Sequence, residues 1–167
     1  MHRLRSLFLP LLLWLSACTV NLAPGYDATL HGGLDAANRE ALSLFSALAA
    51  GSPQGHYGGI EAQYHAVIGA FGALKARAET RPEPVLGQRF AARMARFPGI
   101  AEICAGVEAG RSCAWVTPRA IAEIIETLEK MRDRHRDRGL SAGIVAALKG
   151  NYEIAIEQAL TVEGALQ

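Results

Sequence analysis

Residues 27–48 read DATLHGGLDAANREALSLFSAL. Leu30, Leu34, Ala37, Ala41, Leu44 and Leu48 recur at steps of three and four. That is the period of one buried stripe on an α-helix. Asp27 stands just before the stripe, where a carboxylate caps the free N–H groups of the first turn. Gly32 and Gly33 weaken the start. Gly51-Ser52-Pro53-Gln54-Gly55 ends the segment.

The same period returns three times. From about Tyr57 to Glu79 the stripe is Ile60, Tyr64, Val67, Phe71, Leu74 and Ala78. Thr80-Arg81-Pro82-Glu83-Pro84 stops it, because proline cannot continue a helical ladder. Thr117-Pro118 reads as an N-cap followed by a first-turn proline. The helix after it uses Ile121, Ile124, Leu128 and Met131, with Glu126 and Lys130 spaced for a surface ion pair. Beyond Met131 comes RDRHRDR, polar on all sides, ending at Gly139. Ser141 caps a last helix with Ile144, Leu148, Tyr152, Ala155 and Ala159 as its stripe. No stretch alternates as a strand does. The expectation is an all-α domain over 27–167, an antiparallel bundle of about four long helices. The linker around residues 80–116 is long for a simple up-down connection and is expected to cross one end or side of the bundle.

Ahead of the domain, His2, Arg3 and Arg5 form a basic head without acidic residues, and LFLPLLLWL at 7–15 is a compact apolar run. That order marks a secretory signal. The run is short for a membrane span, which needs about 20 apolar residues. Leu15-Ser16-Ala17-Cys18 follows at once and resembles the lipobox of bacterial lipoproteins. The resemblance implies a lipid thioether on Cys18, cleavage after Ala17 and acylation of the new amino group. The other reading is an ordinary export signal with a chance cysteine. Residues 1–17 are then the leader and 18–26 a tether, which holds the domain within roughly 25 Å of a bilayer. Thr19, where inner-membrane lipoproteins often carry Asp, implies by analogy the periplasmic face of the outer membrane.

Removing 1–17 takes away Arg3 and Arg5 and no acid, leaving 15 basic against 16 acidic groups. Near-neutral charge gives no argument for nucleic acid. Half the chain is hydrophobic but only 7% aromatic, a composition suited to closely approaching helices. In an oxidising compartment Cys104 and Cys113 are expected to form a disulfide closing a short loop in the crossover. Such a loop stabilises by roughly 2–3 kcal/mol. The alternative, a zinc site, lacks the usual spacing and a nearby histidine.

The arrangement also resembles a group of helical lipoproteins from Gram-negative bacteria. GYDATLHGGLDAANREALSLFSAL, LKARAETRP, MRDRHRDRGL and NYEIAIEQALTVEGAL carry the likeness. It implies a fold and a location, and no activity.

Candidate sites are sparse. Glu61/His65 and His31/Asp35 are one turn apart, but no Glu-x-x-His accompanies them, so no metal and no cofactor is assigned. Glu153 and Glu157 read as an exposed face rather than an acid–base pair. No Gly-x-Ser-x-Gly, phosphate loop or haem-attachment motif occurs. Arg89, Arg93 and Arg96 line one side of a short amphipathic helix, with Phe90, Met94 and Phe97 beside them. That segment is either a crossover packed on the bundle or a surface for membrane or partner. Arg132, Arg134, Arg136 and Arg138 alternate with Asp133 and Asp137 as a solvated helix end.

The reading leans away from an enzyme. It favours a lipid-anchored module that supports or binds an envelope protein. The alternative is a bundle binding a small ligand or lipid in a pocket lined by Tyr64, Phe71 and Tyr152.

Overall fold

The computed structural model describes residues 24–82, 89 and 116–167. The described chain is mostly helical. Helix α1 spans Ala28–Ala47, α2 Glu61–Glu79, α3 Val116–Arg138 and α4 Ala142–Gly164. A 3-10 helix, Gln54–Gly59, precedes α2. Two short strands, β1 (Gly51–Ser52) and β2 (Leu140–Ser141), pair antiparallel with Gly51 opposite Ser141 and Ser52 opposite Leu140.

Asp27 caps α1 as its position predicts, with Oδ1 accepting from the backbone N–H groups of Thr29 and Leu30. All six stripe positions of α1 are buried, and Phe45 joins them. Tyr64, Val67, Phe71 and Ala78 of α2 are buried, as are Ile121, Ile124, Leu128 and Met131 of α3. On α4 the buried face is Val145, Tyr152, Ala155, Ile156 and Ala159, while Ile144 and Leu148 are half-buried beside it. Helix α1 packs against α2 and α4, and α3 packs against the same two. Every helix therefore has two neighbours around one core. Each large aliphatic side chain buried there contributes about 1.5–3 kcal/mol. Tyr152 lies at the centre, its ring 5.2 Å from that of Phe45 and 6.2 Å from that of Phe71.

Four local expectations change. The chain from Gln54 to Gly59 is a 3-10 turn, so α2 begins at Glu61 and not near Tyr57. Gly55, Gly58 and Gly59 hold little helical preference there, and the N–H groups of His56 and Ile60 bond three residues back, to Pro53 and Tyr57. Thr117 is buried inside α3, and its hydroxyl serves Glu163 rather than the helix start. The RDRHRDR end of α3 is not polar on all sides, because His135 has no exposed surface. A short strand pair also exists. Its geometry requires glycine twice, since Gly51 and Gly139 have φ of 87° and 74°. A Cβ on Gly139 would lie 2.9 Å from the Ser52 carbonyl oxygen and from the Gln54 nitrogen.

Candidate functional site

Two clusters of polar groups stand out among the described residues. At one end, Arg81 grips Glu163 with two hydrogen bonds, Nη2 to Oε1 at 2.6 Å and Nη1 to Oε2 at 2.8 Å. Thr117 donates to the same Oε1 at 2.6 Å. Glu163 is fully buried, and the Arg81 side chain is only 10% exposed. Charge-assisted, bidentate pairing is what a buried carboxylate requires. The network joins the chain just after α2, the first turn of α3 and the last turn of α4. Close by, Arg77 donates to Asp27 at 2.7 and 3.0 Å, fixing the end of α2 to the cap of α1. Arg77 and two backbone N–H groups hold the Asp27 carboxyl below its ordinary range, against the opposing effect of desolvation.

At the strand end, His135 Nε2 lies 3.3 Å from the Pro53 carbonyl and Nδ1 lies 3.2 Å from the Tyr64 hydroxyl. Burial pushes the His135 pKa down and the Tyr64 phenol well up. Tyr57 stacks on Tyr64 with ring centres 6.2 Å apart and donates to Glu61 at 3.2 Å.

Glu163 and His135 have no exposed surface, while their partners Arg81, Tyr57 and Glu61 reach toward solvent. An accessible feature lies on α4. Val116 from α3, with Ile154, Glu157, Gln158, Thr161 and Val162 from α4, lines an open groove of about 390 Å³. Ile154 is 63% exposed, although large aliphatic side chains usually bury. Gly143, Ala147, Gly150, Ile154 and Thr161 share this outer side of α4 at helical spacing. The outer face of the helix is mixed, apolar at Ile154 and polar at Glu157, Gln158 and Thr161.

Tyr64, Phe71 and Tyr152, expected as the lining of a ligand pocket, lie in the core. All three are fully buried. They are core packing, and the Tyr152 hydroxyl is used by Asn38, to which it donates at 2.8 Å. Arg89 is helical and exposed. Arg93, Arg96, Cys18, Cys104 and Cys113 lie outside the described residues. His31–Asp35 and His65–Glu61 approach to 3.9 and 3.8 Å as surface pairs. Among the described residues, no three His, Cys, Asp or Glu side chains are grouped closely enough to hold a metal ion. No helix among them is long and apolar enough to cross a membrane.

His135, Glu163 and Arg81 were missed as structural residues. For two of them a signal existed. His135 continues the steps Ile124, Leu128, Met131 by four, and Glu163 continues Ile156 and Ala159 by four. Polar identity hid both.

Among the described residues the fold is a four-helix α-domain with a buried Arg81–Glu163 pair, a buried His135 and an open groove along α4. No family model, curated protein or solved structure matches the chain.

Proposed function

We propose that the chain is a lipid-anchored antiparallel helical bundle that acts at the bacterial envelope by binding a protein, with the outer face of α4 as its docking side. The observation that carries this reading is Ile154, exposed above the groove formed with Val116 and Val162. An exposed apolar groove rimmed by polar residues is the form of a protein contact site. The occupant is an apolar side chain, presented by a helix of the partner, which the small residues Ala147 and Gly150 let approach. The LSAC sequence supports the anchor, with Cys18 acylated and the bundle on the periplasmic side of the outer membrane. The same compartment favours a Cys104–Cys113 disulfide in the crossover.

Two measurements test the proposal. Intact mass of the protein from its native membranes is expected to show cleavage before Cys18 and added acyl chains. An unmodified thiol or a retained leader removes the anchor. A photo-crosslinking residue at position 154 is expected to capture one discrete protein in cells. The same residue at Lys130, on the exposed side of α3, is expected not to capture it. Equal capture from both positions, or none from 154, overturns the docking face.

A further inference from the structure

His135 has both ring nitrogens engaged and no exposed surface. The roles of the two nitrogens follow from their partners. The Pro53 carbonyl can only accept, so Nε2 carries the hydrogen and donates. In a neutral ring Nδ1 then has a lone pair, and the Tyr64 hydroxyl donates to it. With the neutral ring every donor and acceptor of this relay is used. A proton on Nδ1 would make the Tyr64 oxygen the acceptor and turn its own hydrogen away. That hydroxyl has no second hydrogen-bond partner among the described residues.

Among the described residues, no carboxylate contacts the His135 ring directly. From the 3-10 helix it faces Tyr57, edge-on at 5.7 Å between ring centres, and the charge of His56. From α2 it faces Tyr64, with Glu61 engaged by Tyr57. On its own helix, Arg132 and Arg136 act on Tyr57 of the same cluster. Among the described residues, no carboxylate forms an ion pair with His135. The carboxylates nearest in the chain are already engaged, Glu61 by the Tyr57 hydroxyl and Asp133 and Asp137 by Arg132 and Arg136. Desolvation is the leading reason its pKa lies below the ordinary histidine value, with the Pro53 carbonyl opposing and His56 adding.

The position matters as much as the chemistry. Pro53 joins β1 to the 3-10 helix, and His135 lies one turn before the end of α3. Among the described residues, the other hydrogen bonds across this junction are the β1–β2 pairs and that from Gln54 Nε2 to the Arg136 carbonyl at 2.9 Å, and Tyr57 adds ring packing on His135 and Tyr64. Pro53 and Tyr57 cover one side of the ring, so displacing the 3-10 helix would expose it to water.

We propose that His135 is a proton-operated latch, holding the 3-10 helix Gln54–Gly59 and the β1–β2 pair against the end of α3 when neutral and releasing them when protonated. The exposed ring takes up a proton more readily than the buried one, so acid draws the junction open. The opening equilibrium rises between neutral pH and pH 5. An ordinary histidine pKa of 6.5 sets the limit at about 30-fold.

Amide hydrogen exchange of the full chain at pH 7.5 and 5, corrected for intrinsic rates, tests this. Protection over residues 51–60 is expected to fall by up to about 30-fold in acid, while the middle of α1 stays unchanged. His135→Gln, which keeps one donor and one acceptor without a titrating ring, is expected to abolish the pH response. Unchanged protection in the native chain, or an equal response in the Gln variant, overturns the latch. Should that variant fail to fold, the NMR titration of the native ring decides. A His135 resonance that titrates at or above the ordinary value overturns the proposal, and one that titrates below it together with the exchange response supports it.

Discussion

Arg81 and Glu163 lie 82 positions apart and meet in a bidentate ion pair whose carboxylate has no solvent exposure. The pair fixes where the chain leaves α2 and, through Thr117, where it enters α3. A buried ion pair adds modestly to net stability, but removing one partner strands the other charge in a poorly solvating site.

Glu163→Ala is therefore expected to lower unfolding free energy by about 3–5 kcal/mol, as measured by urea denaturation. Thr117→Val removes one hydrogen bond to the charge and is expected to cost about 1.5–3 kcal/mol. Arg81→Met combined with Glu163→Met is expected to recover most of the single-variant loss, because two apolar side chains leave no stranded charge. A double variant as unstable as the sum of its singles refutes this account.

Glycine substitutions separate the tight junction from the open helix surface. Gly139→Ala combines a positive φ with a close approach to Ser52 and Gln54, and is expected to destabilise by more than about 1 kcal/mol. Gly69, exposed in the middle of α2 with open space around it, behaves oppositely. Gly69→Ala is expected to stabilise by about 0.5–1 kcal/mol, read as a rise in thermal midpoint. Equal signs for the two would show that the strand junction is looser than described.

Asp27 predicts an acid dependence. Hydrogen bonding from Arg77, together with the backbone bonds of the cap, holds its folded pKa below the ordinary 3.8. A depressed carboxyl pKa contributes stability that is fully present well above 3.8 and is lost as pH falls through the lower folded value. Asp27→Asn keeps a capping oxygen but does not titrate. It is expected to flatten the decline in stability below about pH 4, measured by denaturation across acid pH. A decline of unchanged steepness in that variant would remove Asp27 from the cause.

The sequence by itself determined the α class, the cap at Asp27, the Ser141 start of α4 and the buried stripes. These follow from local chemistry: a side-chain oxygen at a helix start and apolar residues every three or four positions. It also supplied the surface pair Glu126–Lys130, which closes to 2.6 Å. Only the tertiary structure decided the fate of the polar residues. Whether Glu163 is a solvated acid or a sealed one depends on Arg81 and Thr117, which arrive from distant segments. Whether His135 is a surface base or a buried hydrogen-bond hub depends on Pro53 and Tyr64 for the same reason. Tyr64, Phe71 and Tyr152 are just as apolar on a pocket wall as in a core, and the close approach of four helices decided for the core. Periodicity reports which side of a helix turns inward. It carries no information on what another helix brings to meet it.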